Sequence, residues 1–272
     1  MRKENADSLL GVEKLEVVYN NVSVAVQGVS LNVQEGRIVA LLGTNGAGKT
    51  TTLRAISGFL GIDNAKVTEG IVRFKGEAIH NKSPHVITKK GIVLVPERDK
   101  IFENLTVEEN LQVSISLTSK KTGNGDLNDF IYHYFPALAR LKSRVGGYLS
   151  GGERQMLSLA TGLICSPKLL LIDELSLGLA PIIVEELMKL VRLIRDEQNI
   201  AVLLVEQNAL AALAIADFGY VIENGRVVFA GDSERLRSHQ DIQEFYLGRV
   251  DREGIKSYRD VKQYRRTRRW YG

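Results

Sequence analysis

The sequence predicts an α/β fold built on a parallel sheet, accompanied by an antiparallel β layer and a helical insert. Three observations support this prediction. Short apolar runs typical of buried strands alternate with stretches of helical periodicity. A glycine-rich loop stands between one of these runs and the helix expected after it. Residues 29–34 alternate apolar and polar side chains, as a half-exposed antiparallel strand does.

The first hundred residues are expected to supply the antiparallel layer and two buried strands. The pair Glu35-Gly36 turns the chain into the first buried run, and Gly76 is expected in a turn between two short strands. Pro96 ends the second buried run. We therefore expect strands at residues 15–19, 29–34, 38–42, 70–74, 77–79 and 92–95.

The remainder of the chain predicts a helical insert followed by more strands and helices. Residues 105–147 have helical periodicity with a polar stretch at 118–128, and together with the helix expected from Gly151 they predict a helical subdomain at about 105–165. We expect the aromatic side chains of the insert to belong to a core, and a contact surface is the alternative. Apolar residues on one helical face recur from Ile183 to Ile194. The Asn224-Gly225 pair is a strong hairpin signal. We therefore expect strands at residues 169–172 and 201–205 and a hairpin at 220–229.

The glycine-rich loop matches the phosphate-binding pattern of two glycines separated by four residues and followed by Lys and a hydroxyl. Glycines let the backbone wrap closely around a triphosphate, so that N–H groups and the start of the next helix face its oxygens. Lys49 would supply a charge to the β- and γ-phosphates, and Thr50 a hydroxyl to Mg²⁺. The expected binding residues are Gly43, Asn45, Gly46, Ala47, Gly48, Lys49, Thr50 and Thr51.

Two acids follow the buried run 169–172. An acid at the tip of a buried strand is where an enzyme with this loop holds Mg²⁺. We therefore expect Asp173 to be a metal ligand and Glu174 to orient the attacking water.

A second candidate anion site lies at residues 149–155. Ser150 is expected to cap a helix, and Gly151 and Gly152 let backbone N–H groups approach a ligand. Together with the loop at 43–51 and the acids after 169–172, this segment resembles the signature of the ATP-binding-cassette family. The resemblance covers residues 12–247.

The resemblance implies several features of the site. Two such domains pair head to tail in this family, so Ser150, Gly151 and Gly152 would act on the nucleotide of the partner. Tyr19 matches the aromatic residue that stacks on adenine, although an aromatic side chain at a strand end also suits a core. Residues 176–181 match the loop that crosses the dimer interface.

Two positions differ from the common family pattern. Glu97 stands where most members have Gln, and Gln207 stands where most have the switch His. Glu97 can accept a hydrogen bond from water or coordinate near Mg²⁺ but cannot donate, and Gln207 can contact the γ-phosphate without titrating near neutral pH. We include Glu97 among the expected metal ligands and both among the catalytic residues, with Lys49 and Glu174.

Four motifs resemble one branch of the family, the second ATPase subunit of branched-chain amino-acid importers and their amide and urea relatives. They lie at residues 95–98, 105–111, 176–181 and 205–208. The resemblance implies an ATPase that drives solute uptake, with ATP and Mg²⁺ as cofactors. It also implies a sister ATPase or a second copy, two permease subunits and, indirectly, a solute-binding protein. An exporter ATPase and a soluble family member are the alternatives.

Composition agrees with a globular protein of one or two domains. The chain has 272 residues, 44% of them hydrophobic and 25% charged. It has no apolar stretch of 18 residues and no signal-like start, so we expect a cytosolic protein at the inner face of the membrane. Cys165 is the only cysteine, which excludes an internal disulfide, and we expect it to be buried.

The positive charge is concentrated at the C-terminus. Residues 248–272 contain nine Lys or Arg against three Asp or Glu. The basic character therefore belongs to this tail, and we expect no nucleic-acid partner for the body. Basic clusters interleaved with aromatics suit anionic lipid headgroups. A tail that packs on the body or is loosely ordered is the alternative.

Overall fold

The computed structural model describes residues 8–97, 101–116 and 124–238. The described residues form two sheets together with the helices that pack on them. The predicted basic tail and Arg98 of the predicted motif at 95–98 lie outside these ranges. The strands are β1 (Ser8–Tyr19), β2 (Ser23–Gln34), β3 (Ile38–Leu42), β4 (Ala65–Phe74), β5 (Glu77–Ala78), β6 (Ile92–Val95), β7 (Leu169–Asp173), β8 (Ala201–Glu206), β9 (Phe218–Glu223) and β10 (Arg226–Asp232).

The helices follow the predicted alternation with the strands. They are α1 (Lys49–Ser57), α2 (Pro84–Lys89), α3 (Val107–Ser116), α4 (Asn124–Tyr134), α5 (Pro136–Arg140), α6 (Gly151–Ile164), α7 (Pro181–Gln198), α8 (Ala209–Ile215) and α9 (Ser233–Ser238). Within the described ranges, no helix combines the length and the apolar content needed to cross a membrane.

The larger sheet has the strand order β10-β9-β3-β8-β7-β6, and all of its strands except β10 are parallel. Every residue of β3, β7 and β8 is buried. Strands covered on both faces carry continuous apolar runs, which is why these segments do not alternate. The predicted parallel α/β core is confirmed.

The smaller sheet is antiparallel, in the order β2-β1-β4-β5. The alternation in β2 buries Val29, Leu31 and Val33 and leaves the residues between them exposed. The predicted β layer is therefore confirmed, although β1 and β2 are each twelve residues long and extend well beyond the predicted bounds.

Gly70 does not begin a short strand, as the sequence suggested; it lies inside the ten-residue β4. Its φ is +82°, and a Cβ there would lie 2.4 Å from the carbonyl oxygens of Glu13 and Lys14. At this point β1 has a register irregularity relative to β4 and Lys14 has a positive φ. A glycine inside a strand often marks such a bulge, so the strand continues where a break was expected.

The helices at 105–165 share one hydrophobic core with the larger sheet. Ile131, Phe135 and Leu138 are fully or almost fully buried, and Tyr134 is buried as well. Tyr134 and Phe135 are thus core residues, as expected, and Phe130 and Tyr132 pack against the core, but Tyr148 is 79% exposed and does not fit the prediction. Cys165, which follows α6, is partly rather than fully buried, and burial raises the pKa of its thiol.

Candidate nucleotide-binding site

The candidate site lies at the carboxyl edge of the larger sheet. Leu42 at the end of β3 pairs with Glu206 of β8, Val205 pairs with Asp173 of β7, and Ile172 pairs with Val95 of β6. This register brings the loop after β3, the acids at the end of β7 and Glu97 after β6 to one edge. They surround a cavity of about 580 Å³ that is lined by Ala25, Asn45, Gly46, Gly48, Lys49, Thr50, Thr51, Glu97, Glu174 and Leu177.

The glycine-rich loop leads into α1 as the pattern predicts. Helix α1 begins at Lys49, and Gly48 before it has a left-handed φ of +102°. Thr52 N–H donates the first helical bond, to Gly48 O at 3.0 Å. The N–H groups that precede it in the first turn have no helical acceptor. They form a ready site for an anion beside the cavity.

The turn between β9 and β10 supports this loop. Gly225 N–H donates to Ala47 O at 2.8 Å, and Gly225 O accepts from Gln27 N–H at 2.7 Å. A Cβ on Gly225 would lie 2.7 Å from Ala25 O. The sequence predicted this hairpin turn but not its contact with the phosphate loop, because no local signal reports a contact across the chain.

Lys49 is held by three acceptors. Its Nζ donates to Gly43 O at 2.9 Å and to Thr44 O at 3.1 Å, and it lies 2.9 Å from Glu174 Oε1. The side chains of Lys49 and Glu174 are only 4% and 7% exposed. The predicted phosphate ligand and the predicted base therefore form a buried ion pair in this structure.

Thr50 and Asp173 form the second contact of the site. Thr50 Oγ1 donates to Asp173 Oδ1 at 3.1 Å. Burial raises the pKa of Asp173 to about 6, and the charges of Glu174 and Glu97 add to this effect, whereas Thr50 and Lys49 oppose it. A cation bound here would favour the ionised carboxylate. The three predicted metal ligands thus lie in one region, because Thr50, Glu97 and Asp173 also line an adjoining cavity of about 460 Å³.

Tyr19 and Gln207, two further predicted site residues, differ in their distance from the glycine-rich loop. Tyr19, at the end of β1, has its hydroxyl 3.3 Å from Thr51 Oγ1 in the first turn of α1. Gln207 follows β8, is exposed and lies outside the lining of the cavity. The structure thus places Tyr19 beside the loop but does not bring Gln207 into the cavity.

Ser150, Gly151 and Gly152 form the N-terminus of α6. Ser150 Oγ accepts from Glu153 N–H at 3.3 Å and Glu153 Oε2 accepts from Ser150 N–H at 2.7 Å, a complete capping box. A Cβ on Gly151 would lie 2.9 Å from Leu179, and one on Gly152 would lie 2.8 Å from Ile183. This helix start packs against the beginning of α7, and none of the three residues lines the Lys49 cavity.

Glu206 is a charged residue whose role the sequence did not reveal. It is fully buried, and its carboxylate accepts two hydrogen bonds from Ser176: one from the backbone N–H at 2.9 Å and one from Oγ at 2.6 Å. Burial raises the pKa of Glu206 to about 7. Glu206 ends a buried strand, as Asp173 does, and an acid at such a position could have suggested a role. It belongs to no metal-binding or nucleotide-binding motif, so no function was predicted for it from the sequence.

Comparison with known proteins agrees with this geometry. The family described as "ABC transporter" matches residues 26–176. The chain is 38% identical over 240 residues to the "High-affinity branched-chain amino acid transport ATP-binding protein BraG" of Pseudomonas aeruginosa, covering 88% of this chain and 100% of that protein. It is 37% identical to the "Probable branched-chain amino acid transport ATP-binding protein LivF" of Archaeoglobus fulgidus, covering 89% and 100%.

The fold is also that of a solved ATP-binding cassette. A crystal structure described as the ADP conformation of an ATP-binding cassette of an ABC transporter matches with a TM-score of 0.74. The two sequences are 27% identical, and the match covers 89% of this chain and 99% of that one.

Proposed function

The chain belongs to the ABC transporter family, as its motifs predict, and we propose that it is the ATP-hydrolysing subunit of an importer for branched-chain amino acids. One observation carries the ATPase part: Lys49, Thr50, Asp173 and Glu174 lie together at the mouth of the glycine-rich loop. The names of the relatives BraG and LivF, with which the similarity extends over their full length, support the direction and the solute.

ATP occupies the Lys49 cavity in this proposal. The triphosphate lies along the loop, where the first turn of α1 presents its free N–H groups, and Lys49 moves from Glu174 to the β- and γ-phosphates. Tyr19 stacks on adenine from the end of β1. Its hydrogen-bonding distance to Thr51 supports this role because it places the ring beside the loop.

Mg²⁺ fits the oxygen donors of this site. Mg²⁺ prefers one or two carboxylates together with waters and substrate phosphates. Thr50 and Asp173 supply a hydroxyl and a carboxylate, and Glu97 a further carboxylate nearby. Among the described residues, no three or more His, Cys, Asp or Glu side chains are grouped so that they could hold a metal ion. A metal that also binds a nucleotide phosphate needs fewer protein ligands. The ion would neutralise charge on the phosphates.

Hydrolysis uses Glu174 to orient and deprotonate the attacking water. Its backbone φ of +50° directs the chain away from β7 at this point, and its carboxylate faces the cavity beside Lys49. Glu97 would accept a hydrogen bond from water beside a bound Mg²⁺. Gln207 contacts the γ-phosphate when the dimer closes, since its amide can bind a phosphate oxygen without titrating.

The second half of each site comes from another chain. The family resemblance implies that Ser150, Gly151 and Gly152 bind the nucleotide of a sister ATPase or a second copy, and the position of the α6 N-terminus outside the Lys49 cavity is compatible with this role. In our proposal the ATPase domain comprises residues 12–247 with a helical subdomain at 105–165. ATP binding favours the closed dimer over the open one, and this difference moves two permease subunits at the inner membrane face. A solute-binding protein delivers the amino acid.

Replacement of the base tests the catalytic part of the proposal. Glu174→Gln is expected to bind ATP, to accumulate as a closed dimer by size exclusion, and to hydrolyse ATP at least about 10²-fold more slowly, because general-base catalysis is lost. Glu77→Gln, at an exposed site in β5, serves as a matched control with unchanged rate. A wild-type rate in Glu174→Gln would show that Glu174 is not the base.

Reconstitution tests the transport part. Proteoliposomes would contain this chain, its sister ATPase and both permeases, with ATP inside and the binding protein and radiolabelled leucine outside. We expect leucine to accumulate with the wild-type chain and not with Glu174→Gln. Loss of preloaded solute from the ATP-containing compartment would instead indicate an exporter, and ATP hydrolysis without leucine uptake would indicate a different solute.

A further inference from the structure

Glu206 occupies a position that is unfavourable for a carboxylate. It ends β8 at the centre of the larger sheet and is fully buried. Within the described parts of the chain, no Lys or Arg forms an ion pair with it. Its oxygens are instead satisfied by neutral donors: Ser176 N–H at 2.9 Å, Ser176 Oγ at 2.6 Å and the backbone N–H of Asn208. A buried charge is costly, and hydrophobic residues fill most of this strand.

The donors of Glu206 come from two segments of the proposed site. Ser176 follows Glu174 by two residues and begins the loop 176–181. Asn208 follows Gln207, caps α8 by accepting from Ala211 N–H at 3.1 Å, and thereby fixes the turn in which Gln207 lies. One carboxylate therefore joins the segment that carries Glu174 to the segment that carries Gln207.

The segment with Glu174 is held from the other side as well. Gln155 Nε2 of α6 donates to Leu175 O at 2.9 Å, and Glu174 N–H donates to Val205 O at 2.9 Å. Gln155 lies in the helix that Ser150 caps. A buried polar path thus runs from α6 through residues 174–176 to Glu206. Fully satisfied buried networks of this kind hold their members in one arrangement.

We propose that Glu206 is a positioning residue for ATP hydrolysis, which holds Glu174 through Ser176 and Gln207 through the turn at Asn208. It does not touch the nucleotide. The inference rests on the proposed roles of Glu174 and Gln207. Its consequence is that the geometry of the water-activating residue depends on a hydrogen-bond acceptor at 206 rather than on the charge there.

Three substitutions distinguish the effect of hydrogen bonding at position 206 from the effect of a charge at that position. Glu206→Gln keeps the shape of the side chain: its oxygen can accept from Ser176 N–H, and its amide can donate to Ser176 Oγ. Glu206→Ala removes every acceptor and leaves the partly buried donors of Ser176 without their partner. Ser176→Ala removes the hydroxyl and keeps the N–H bond.

Steady-state hydrolysis and ATP binding by the full 272-residue chain test the proposal. Glu206→Ala should decrease kcat by roughly tenfold to a hundredfold, the range that small misplacements of a catalytic group produce, while the Kd for ATP without Mg²⁺ changes less than about threefold. Glu206→Gln should restore kcat to at least about half of the wild-type value. Ser176→Ala should act non-additively with Glu206→Ala.

Val202→Ala, in the same strand but four residues from the site, controls for lost stability. It should lower the Tm and leave kcat per folded molecule unchanged. A kcat for Glu206→Ala within about twofold of the control would overturn the proposal, and so would a Glu206→Gln variant as slow as Glu206→Ala. Glu174→Gln is measured in parallel. If Glu174→Gln is inactive and Glu206→Ala is normal, only this inference fails; if Glu174→Gln is itself active, the proposed site fails.

Discussion

Lys49 and Glu174 form an ion pair in this structure. In our proposal, however, Lys49 binds phosphate and Glu174 activates water. Nζ of Lys49 lies 2.9 Å from Glu174 Oε1 while it also donates to Gly43 O. In our proposal, a triphosphate that enters the cavity would replace the carboxylate as the counter-charge of Lys49. The same exchange would free Glu174 to accept a proton from water, so that nucleotide binding and activation of the base are coupled at one contact.

This ion pair predicts a stability effect in the absence of nucleotide. Lys49→Met should lower the free energy of unfolding by about 3 kcal/mol, because it leaves the buried Glu174 carboxylate unpaired. Denaturant unfolding without ATP measures the change. The double variant with Glu174→Gln should recover most of the loss, since no unpaired charge remains. An equal loss in the single and double variants would contradict this interpretation.

Glu206 predicts a distinct dependence of stability on pH. Burial raises its pKa from 4.5 to about 7; the charge of Glu174 adds to the shift, and the donors at Ser176 and Asn208 oppose it. Between these values the unfolded chain loses the proton and the folded chain keeps it, so the free energy of unfolding falls as pH rises. Above about pH 7 the folded group ionises and the decrease stops.

The Glu206→Gln variant lacks this titration. Relative to the variant, the wild-type protein should lose up to about 3 kcal/mol of stability between about pH 5 and about pH 8. Urea unfolding of both proteins across this range measures the difference. A constant difference would show that Glu206 titrates at an ordinary pKa, and a wild-type protein that gains stability relative to the variant would reverse the sign.

At the scale of elements, strand β9 sets the position of the glycine-rich loop. A Cβ on Gly43 would lie 2.4 Å from Ile222 O of β9 and 3.2 Å from the Cβ of Ala47. Gly43 O is also an acceptor of Lys49. The neighbouring strand therefore requires a glycine at position 43, in addition to the role in nucleotide binding that the sequence pattern predicts for this residue.

Gly43→Ala should lower stability by about 1–3 kcal/mol through overpacking and weaken ATP binding, because the loop must move away from β9. Gly11→Ala is a matched control: it lies in β1, has no positive φ, and a Cβ there would meet Asn32 only at 3.6 Å. The control should change stability by less than about 1 kcal/mol. Equal effects of the two substitutions in thermal unfolding and ATP titration would contradict the steric argument.

Local patterns in the sequence predicted the elements that depend on local chemistry. Strands β3 and β6 have the predicted bounds because Gly43 and Pro96 end apolar runs. The helix cap at Ser150 was predicted because a helix was expected directly after it, and the structure adds Glu153, three residues away, as its partner in a capping box. Gly70 misled the prediction, because a glycine has the same local signature in a turn and in a bulge, and only the pairing of β4 with β1 distinguishes them.

The site residues that the sequence did not predict make their contacts with residues far away in the sequence. Gly225 donates a hydrogen bond to Ala47, which lies 178 positions earlier in the sequence. Glu206 accepts one from Ser176, which lies 30 positions earlier. The fixed spacing of the glycine-rich loop predicted Lys49 and Thr50, and the end of a buried strand predicted Asp173 and Glu174. The structure brings these four residues together. Contacts set by strand order cannot be inferred from spacing, because many strand orders suit the same alternation of elements.

At the scale of the whole molecule, the two predicted anion sites are separate. The loop at Lys49 faces its own cavity, whereas the N-terminus of α6 packs on Leu179 and Ile183 and leaves Ser150 and Gly151 exposed. In our proposal this exposed helix start contacts an anion that another chain supplies, the phosphates of the nucleotide bound there. Leu177, half exposed at the edge of the Lys49 cavity, lies in the loop expected to cross between the chains.

A complementation experiment tests whether the site is shared. Glu174→Gln removes the base. Ser150→Asp retains a good helix cap but directs a negative charge at the phosphates, and Ser150→Asn, neutral and also a good cap, is its matched control. Each of the first two variants should be inactive alone. In a mixed dimer, one site combines an intact loop and Glu174 from one chain with an intact Ser150 from the other.

An equal mixture of Glu174→Gln and Ser150→Asp should therefore regain about a quarter of the wild-type ATPase rate, since half of randomly formed dimers are mixed and each has one of two sites intact. The rate should rise with total protein concentration, as a step that requires association does. If each chain completed its own site, the mixture would show only the mean of the two inactive variants, and Ser150→Asp would be inactive for a reason internal to the chain.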